Sequence, residues 1–337
     1  MNYAMSSHTA AYLRNRRSRR TAARRLPSER ALAKIRQAFD RKSLHDICVM
    51  PEDYFETYGD FVKVNQEAPD DFYYFKDNGS KVLAVAHLDS CEQDVMCSIA
   101  DTADGPVVYS GSLDDRLGAY VILELLPKLG ITCDWLLTTG EETGRSTAEF
   151  FEPPIDSDGN FKEYNWIIQF DRGGTDVVLY DYETASLKAM VEATGVYVGM
   201  GSFSDICKLE WLGCKGINWG VGYQDYHGPR AHAWLDETFH MVEAFMNFYE
   251  SHAATYLEHA YQPRQESDNW VYYRDLENER YDGTMVLKGD RARSRSLDHD
   301  PAETCLGCMG ETVEGYCFNC DDVDDIPPLP ARSFTVG

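Results

Sequence analysis

The chain has 337 residues, 43% hydrophobic and 12% aromatic with 21 Tyr and 15 Phe, ample apolar material for a large core and against wholesale disorder. Its net charge of −24 is unevenly spread, because residues 1–42 carry twelve Lys/Arg against Glu29 and Asp40, leaving about −34 for the remainder. So acidic a body repels phosphate backbones and anionic lipid, which argues against nucleic-acid and membrane-surface functions, and no stretch reaches the roughly 18 to 20 apolar residues of a membrane span.

Residues 1–27 are polar and Arg-rich, and read as a basic disordered arm ending at Pro27. They contain no apolar signal-peptide core, so the expected location is cytoplasmic; an Arg-rich, acid-poor start is also the composition of an organelle transit peptide. Ser28 stands where an N-cap would, and Leu32, Ile35, Ala38 and Phe39 repeat at helical spacing behind it. Phe72–Tyr74 and Lys81–His87 read as strands, the second (KVLAVAH) apolar throughout as a buried strand is. Residues 94–111 suggest a hairpin around Asp104-Gly105, and Leu117 to Leu129 a helix closed by Gly130.

Further along, residues 133–140 read as a strand, 144–152 as a helix, 164–171 and 176–180 as strands, and 186–195 as a helix stopped by glycine. Residues 215–223 return to β, and Ala233 to about Tyr256 carries Leu235, Phe239, Val242, Phe245, Met246 and Tyr249 at helical spacing. Strands alternating with helices predict an α/β fold: a three-layer αβα sandwich with a mainly parallel, mixed central sheet over residues 28–256. Residues 257–300 are polar and read as a linker, residues 301–325 as a small cysteine-bearing module and 326–337 as a tail.

Acids and histidines gather at the expected strand ends or in the loops just after them, where open α/β sheets bind ligands. The segments are AHLDS (His87, Asp89), GSLDDRLG (Asp114, Asp115), TTGEETG (Glu141, Glu142), QFDRGG (Asp171) and GYQDYHGP (His227). Mixed imidazole and carboxylate donors suit zinc, and five ligands serve two ions when one carboxylate is shared. Such a pair acidifies a water and polarises a carbonyl, provided a neighbouring carboxylate collects the proton and returns it to the leaving amine. Glu141 and Glu142, being adjacent, can supply a base and a ligand. His232 and His240 compete for the last ligand position, and His227 is preferred because it follows the strand end.

The order H-x-D, D-D-[RK]-x-G, E-E-x-G, strand-terminal F-D and a late His resembles the co-catalytic dinuclear zinc exopeptidase superfamily, which includes peptidase T, the glutamyl aminopeptidases and the leucyl aminopeptidases. The resemblance spans about residues 80–250. It implies that His87 and Asp171 hold one zinc, Glu142 and His227 the other, and that Asp114 bridges them, with cobalt or manganese as alternatives to zinc. It further implies Glu141 as general base towards a zinc-bridging hydroxide, Asp89 as the group orienting His87, and a cis peptide at Asp114-Asp115. Ligand gaps of 27, 28, 29 and 56 residues leave no room for an inserted lid domain. The implied activity is hydrolysis of a peptide bond next to a free terminus, an aminopeptidase first; alternatives are an N-acyl amino acid deacylase or carboxypeptidase, or a silent interaction protein retaining the fold.

The residues around this set have plainer readings. Asp115 reads as an acid at a helix N-terminus ahead of a second ligand candidate, Ser204 and Asp205 as a helix cap ahead of a substrate contact, and Tyr223, Gln224 and Tyr226 as rim residues. Arg172 reads equally as pocket border or turn residue. Cys48, Cys91, Cys97, Cys133, Cys207 and Cys214 read as small core hydrophobes. The last four cysteines differ: Cys305, Cys308, Cys317 and Cys320 form a C-x2-C-x8-C-x2-C array, the spacing of a structural zinc knuckle whose folding energy would come from the metal. Acidic neighbours argue against nucleic-acid binding there. The knuckle and the basic arm are the expected contacts for any protein partner, while oligomeric state has no signal in the sequence.

Overall fold

In the computed structural model the described residues are 28–261 except 66, 67, 69 and 93–95, together with the backbone of two short strands, Thr312–Val313 and Tyr316–Cys317. By its contacts the chain divides into Met1–Pro263 and Arg264–Gly337. The basic arm, the 257–300 linker from residue 262 onward, and the side chains of Cys305, Cys308, Cys317 and Cys320 lie outside the described residues. In the second unit, Thr312–Val313 pairs antiparallel with Tyr316–Cys317.

The sheet of the first unit is built from apolar strands flanked by glycine and acid-rich turns. We number its strands β1 (Asp60–Lys63), β2 (Phe72–Lys76), β3 (Val82–His87), β4 (Cys97–Thr102), β5 (Gly105–Ser110), β6 (Asp134–Thr138), β7 (Trp166–Arg172), β8 (Val177–Val178), β9 (Lys215–Gly220), β10 (Tyr223–Gln224) and β11 (His232–Trp234). Seven of them form one mixed sheet in the order β1-β2-β6-β3-β7-β9-β8. The inner four, β6, β3, β7 and β9, run parallel, so their carboxyl ends share one edge; the antiparallel pairings lie outside them. Every residue of β3 and β9 is buried, as strands covered on both faces require. A second sheet, β10-β11-β5-β4, carries the expected hairpin, with Thr102 paired to Gly105.

The helices are α1 (Glu29–Ala38), α2 (Arg41–Val49), α3 (Leu113–Tyr120), α4 (Leu126–Lys128), α5 (Ala185–Glu192) and α6 (Leu235–His252). They cover both sides of the seven-stranded sheet, giving the αβα architecture. Along β7, Trp166 and Phe170 face α6, whose Phe245 lies 5.1 Å from the Phe170 ring and whose Phe248 lies 5.3 Å from Trp166. Gln169 points the other way and meets Ser204 and Asp205. Period-two alternation thus gives β7 an aromatic face for the core and a polar face that leads to Asp171.

Several expected elements change form for local reasons. The helix expected over 144–152 is only a 3-10 turn, Thr147–Phe150, since Pro153 and Pro154 prevent it from continuing. The expected helix from Leu117 to Leu129 is preceded in α3 by a non-helical kink at Asp114 and Asp115, and it passes through a π-helical turn, Val121–Leu125, just before Pro127, whose ring would clash with a carbonyl of an unbroken α-helix. The β-run 215–223 is split between the two sheets at Gly222, where φ is 83°. The 176–180 strand shrinks to Val177–Val178 and gives way to a turn at Tyr180. Ala233 and Trp234 leave the last helix to pair with β5. Helix α2, strand β1 and the 3-10 turn Glu52–Thr57 carried no sequence expectation.

Candidate metal centre

The shared edge of the four parallel strands is where the acids and histidines converge. His87 is the last residue of β3 and is fully buried; Asp89 follows in the loop. Glu141 and Glu142 follow β6 in a 3-10 turn flanked by Gly140 (φ 81°) and Gly144 (φ 71°), left-handed positions that let the chain present two adjacent carboxylates. Asp171 is near the end of β7. The second sheet supplies the other two: Asp114 follows β5 at the head of α3, and His227 lies in the turn joining β10 to β11. The Asp114-Asp115 peptide is cis.

The two oxygens of Asp114 are divided between the two histidines. His87 Nε2 is 3.1 Å from Oδ1 and His227 Nε2 is 3.1 Å from Oδ2. Around His87 Nε2, Asp171 Oδ1 and Glu141 Oε2 each lie at 3.8 Å. His227 Nε2 also lies 3.1 Å from Glu142 Oε2. Potential ligand atoms form two groups, each within 4.8 Å: His87 with Asp114 and Asp171, and Glu142 with His227 and Cys91. His232 instead sits on β11 with Nδ1 3.0 Å from the Arg230 carbonyl, and His240 is an exposed residue of α6, so of the three candidate histidines His227 alone joins the cluster.

Hydrogen bonds brace this arrangement. The Asp89 carbonyl is 3.0 Å from His87 Nδ1, with Asp89 Oδ1 farther away at 3.6 Å, so the backbone oxygen is the nearer acceptor for the ring proton and Nε2 is left facing Asp114. Asp89 Oδ2 accepts from the Glu142 amide at 3.2 Å, tying the two loops together. The Asn218 side chain on β9 bonds both the amide and the carbonyl of Asp171, each at 2.9 Å.

Carboxylates outnumber cationic partners here, and proton affinities respond. Burial would raise Asp114, but hydrogen bonds from His227 and His87 prevail and hold it well below the usual carboxylate range. Burial, then the charge of Asp114, pushes Asp171 up to about 8. Burial and the charges of Asp171, Asp205 and Asp114 push Glu141 up to about 10, against the opposing pull of His87. Hydrogen bonds to Asp114 and then Glu142 raise His227 to about 10, while His87 is raised because its acidic partners outweigh its burial. Burial first, then Asp171, drives Asp115 well up.

Three residues play parts that the sequence did not suggest. Tyr223, expected at the rim, is 2% exposed, and its hydroxyl donates to Asp171 Oδ1 at 2.7 Å and lies 3.2 Å from Asp114 Oδ1. Asp115, expected to face the helix dipole, is fully buried, and neither carboxylate oxygen has a hydrogen-bond partner among the described residues; its backbone (φ −112°, ψ 28°) is not helical. Cys91, expected in the core, is exposed and donates from Sγ to Glu142 Oε2 at 3.2 Å. Only its position four residues after His87, in the same loop, could have signalled this. Ser204 and Asp205 make no side-chain cap; they bond Gln169, and Asp205 also accepts from Ser146. Arg172 pairs with Asp176 at 3.2 Å.

No protein-family model matches the chain, and no curated protein sequence matches it. Solved structures do. A tripeptidase from Staphylococcus aureus aligns over 66% of this chain and 96% of its own, at 11% identity and a TM-score of 0.44. The aminopeptidase PepT from Bacillus cereus aligns over 66% and 97%, at 12% identity and 0.41. The TET1 peptidase of Pyrococcus horikoshii aligns over 60% and 98%, at 13% identity and 0.40. At these identities and scores the similarity assigns neither a residue role nor a substrate.

Proposed function

We propose that this chain is a metal-dependent exopeptidase, an aminopeptidase that removes residues from a free peptide terminus, with Glu141 as general base. The observation that carries it is Asp114, a buried carboxylate whose two oxygens each meet a different imidazole at 3.1 Å. A divided carboxylate between two donor groups suits a pair of divalent cations. The donor set fits: nitrogen and oxygen ligands are those that zinc accepts, and Glu142 Oε1 is buried without a hydrogen-bond partner among the described residues. His87 and Asp171 would hold one ion, Glu142 and His227 the other, and Asp114 both. When bound, such a pair supplies Lewis acidity, acidifying a water and polarising the scissile carbonyl.

The chain's own residues do the rest. Glu141, 14% exposed and 3.8 Å from His87 Nε2, stands beside the cluster without being one of the proposed ligands. In its ionised form, which neighbouring cations favour, such a carboxylate can take a proton from the attacking water and keep it until the leaving nitrogen accepts it. Asp89 and Asn218 hold His87 and Asp171 in place, and Tyr223 fixes the Asp171 carboxylate. We also propose that Cys305, Cys308, Cys317 and Cys320 bind a separate structural zinc, a reading supported by their spacing.

A panel of aminoacyl anilides and N-acyl amino acids, assayed before and after chelation, tests the activity. Release of anilines that stops on chelation and returns with zinc, cobalt or manganese is expected, with three zinc ions bound per full-length chain. Cleavage confined to the N-acyl compounds would replace aminopeptidase with deacylase action, and no cleavage by the reconstituted protein would reject the enzyme reading.

A further inference from the structure

Cys91 belongs to the His227 half of the cluster in a way its sequence context does not require. Its thiol donates to Glu142 Oε2 at 3.2 Å, the same oxygen that His227 Nε2 approaches at 3.1 Å. The sulfur, the imidazole nitrogen and the carboxylate oxygen lie within 4.8 Å of one another. The other oxygen of Glu142 is buried and has no hydrogen-bond partner among the described residues, on a side chain only 9% exposed. An acceptor left unpaired at that depth is destabilising unless something binds it. A thiol, a half-exposed imidazole and an under-bonded carboxylate therefore converge on one small volume, whereas the His87 half offers only nitrogen and oxygen.

Resting on the dinuclear reading above, we propose that Cys91 is a protein ligand of the cation held by Glu142 and His227, making that site a Cys-His-Glu site completed by the shared Asp114. Coordination breaks the Sγ–H bond heterolytically, its electron pair going to the cation and its proton to solvent. Two consequences follow. A thiolate selects zinc over manganese, since soft sulfur suits zinc whereas manganese prefers carboxylate and water. The two ions also become chemically unequal, the His87 site remaining an all-nitrogen-and-oxygen site that tolerates several metals.

The test uses full-length protein depleted of metal and titrated with cobalt(II) or zinc, comparing wild type with Cys91→Ser and Cys91→Asp. The wild-type minus Cys91→Ser difference spectrum cancels cobalt bound by the four C-terminal cysteines. It should retain a near-ultraviolet sulfur-to-cobalt charge-transfer band. By calorimetry, Cys91→Ser should weaken the second catalytic zinc by at least about 10-fold and release about one proton fewer on binding. Cys91→Asp should recover affinity without the band and move preference towards manganese. Superimposable spectra, proton release and affinities in wild type and Cys91→Ser would overturn the thiol ligand while leaving the paired-cation site standing. If Asp114→Asn leaves all cation binding unchanged, the dinuclear reading fails, and the ligand proposal falls with it.

Discussion

His87 and His227 meet opposite ends of one carboxylate, yet the chain builds their surroundings differently. His87 is fully buried at the end of a central strand, with Nδ1 held by the Asp89 carbonyl and Asp171 anchored through Asn218. His227 is 48% exposed, in a two-strand turn with a left-handed backbone (φ 63°), and its partners Glu142 and Cys91 also come from loops. One half is positioned by the sheet and the other by loops whose conformations depend on one another. Rigid elements hold donor geometry more tightly than loops, so the His87 half should be preorganised and the His227 half should acquire its geometry when it binds its ion.

Glu141→Gln gives the largest expected effect and probes the space between the halves. It removes the proton acceptor and no ligand, so turnover should fall by about 10²–10⁴ with the metal content of both halves unchanged. Near-wild-type turnover, or loss of an ion, would move the base elsewhere.

The histidines separate the halves by stability. In metal-depleted protein, His87→Ala leaves Asp171 buried without its imidazole neighbour and Asp114 with one of its two, a loss of about 3–5 kcal/mol in urea melts. His227→Ala removes a half-exposed group and should cost about 1 kcal/mol or less, although it abolishes the second ion's binding. Equal costs would erase the distinction between sheet-held and loop-held donors. Tyr223→Phe tests the His87 half more gently: it deletes one hydroxyl from Asp171 and should weaken that half's cation by about 10-fold while leaving the other ion in place.

These assignments were legible to different degrees because the sequence signals differ in kind. Strand-terminal acids and histidines announce themselves through the apolar run before them, as KVLAVAH and YNWIIQFD do, so the sheet edge that gathers His87 and Asp171 could be anticipated. The glycines around Glu141-Glu142 mark a tight turn. Tyr223 gives no such signal, because a tyrosine beside glycines reads the same whether its hydroxyl meets water or Asp171. Cys91 reads as a small hydrophobe until Glu142, distant by 51 positions, is brought beside it. The burial of Asp115 has no sequence signal, because a carboxylate at a helix start ordinarily faces solvent and the backbone turn that buries it lies in dihedral angles rather than composition. Helix α2 is hard to read because RKSLHDICV is short and mixes polar with apolar residues; it buries Leu44, Ile47 and Cys48 and also offers backbone carbonyls at its end.

Those carbonyls tie α2 to the sheet-held half and motivate the smallest expected effect. Arg116 Nη1 donates to the carbonyls of Ile47 and Met50, each at 3.1 Å, while its Nε donates at 2.8 Å to the carbonyl of Leu88, the residue after His87. At the other end of the helix, Asp40 accepts from the amides of Ser43 and Lys42, which hold its carboxyl below the usual range. A carboxyl depressed in the folded state stabilises the protein above its unfolded pKa, and that contribution is lost as pH falls through the folded one. Asp40→Ala should therefore cost about 1 kcal/mol at neutral pH, trimmed by solvent screening of an exposed group, with the gap from wild type closing below about pH 4. Asp40→Asn keeps a cap without the charge and should flatten that dependence. Cation stoichiometry should be untouched in both variants. If Asp40→Ala instead loses the ion beside His87, that half is held in place by α2 acting through Arg116, and the strand end alone does not preorganise it.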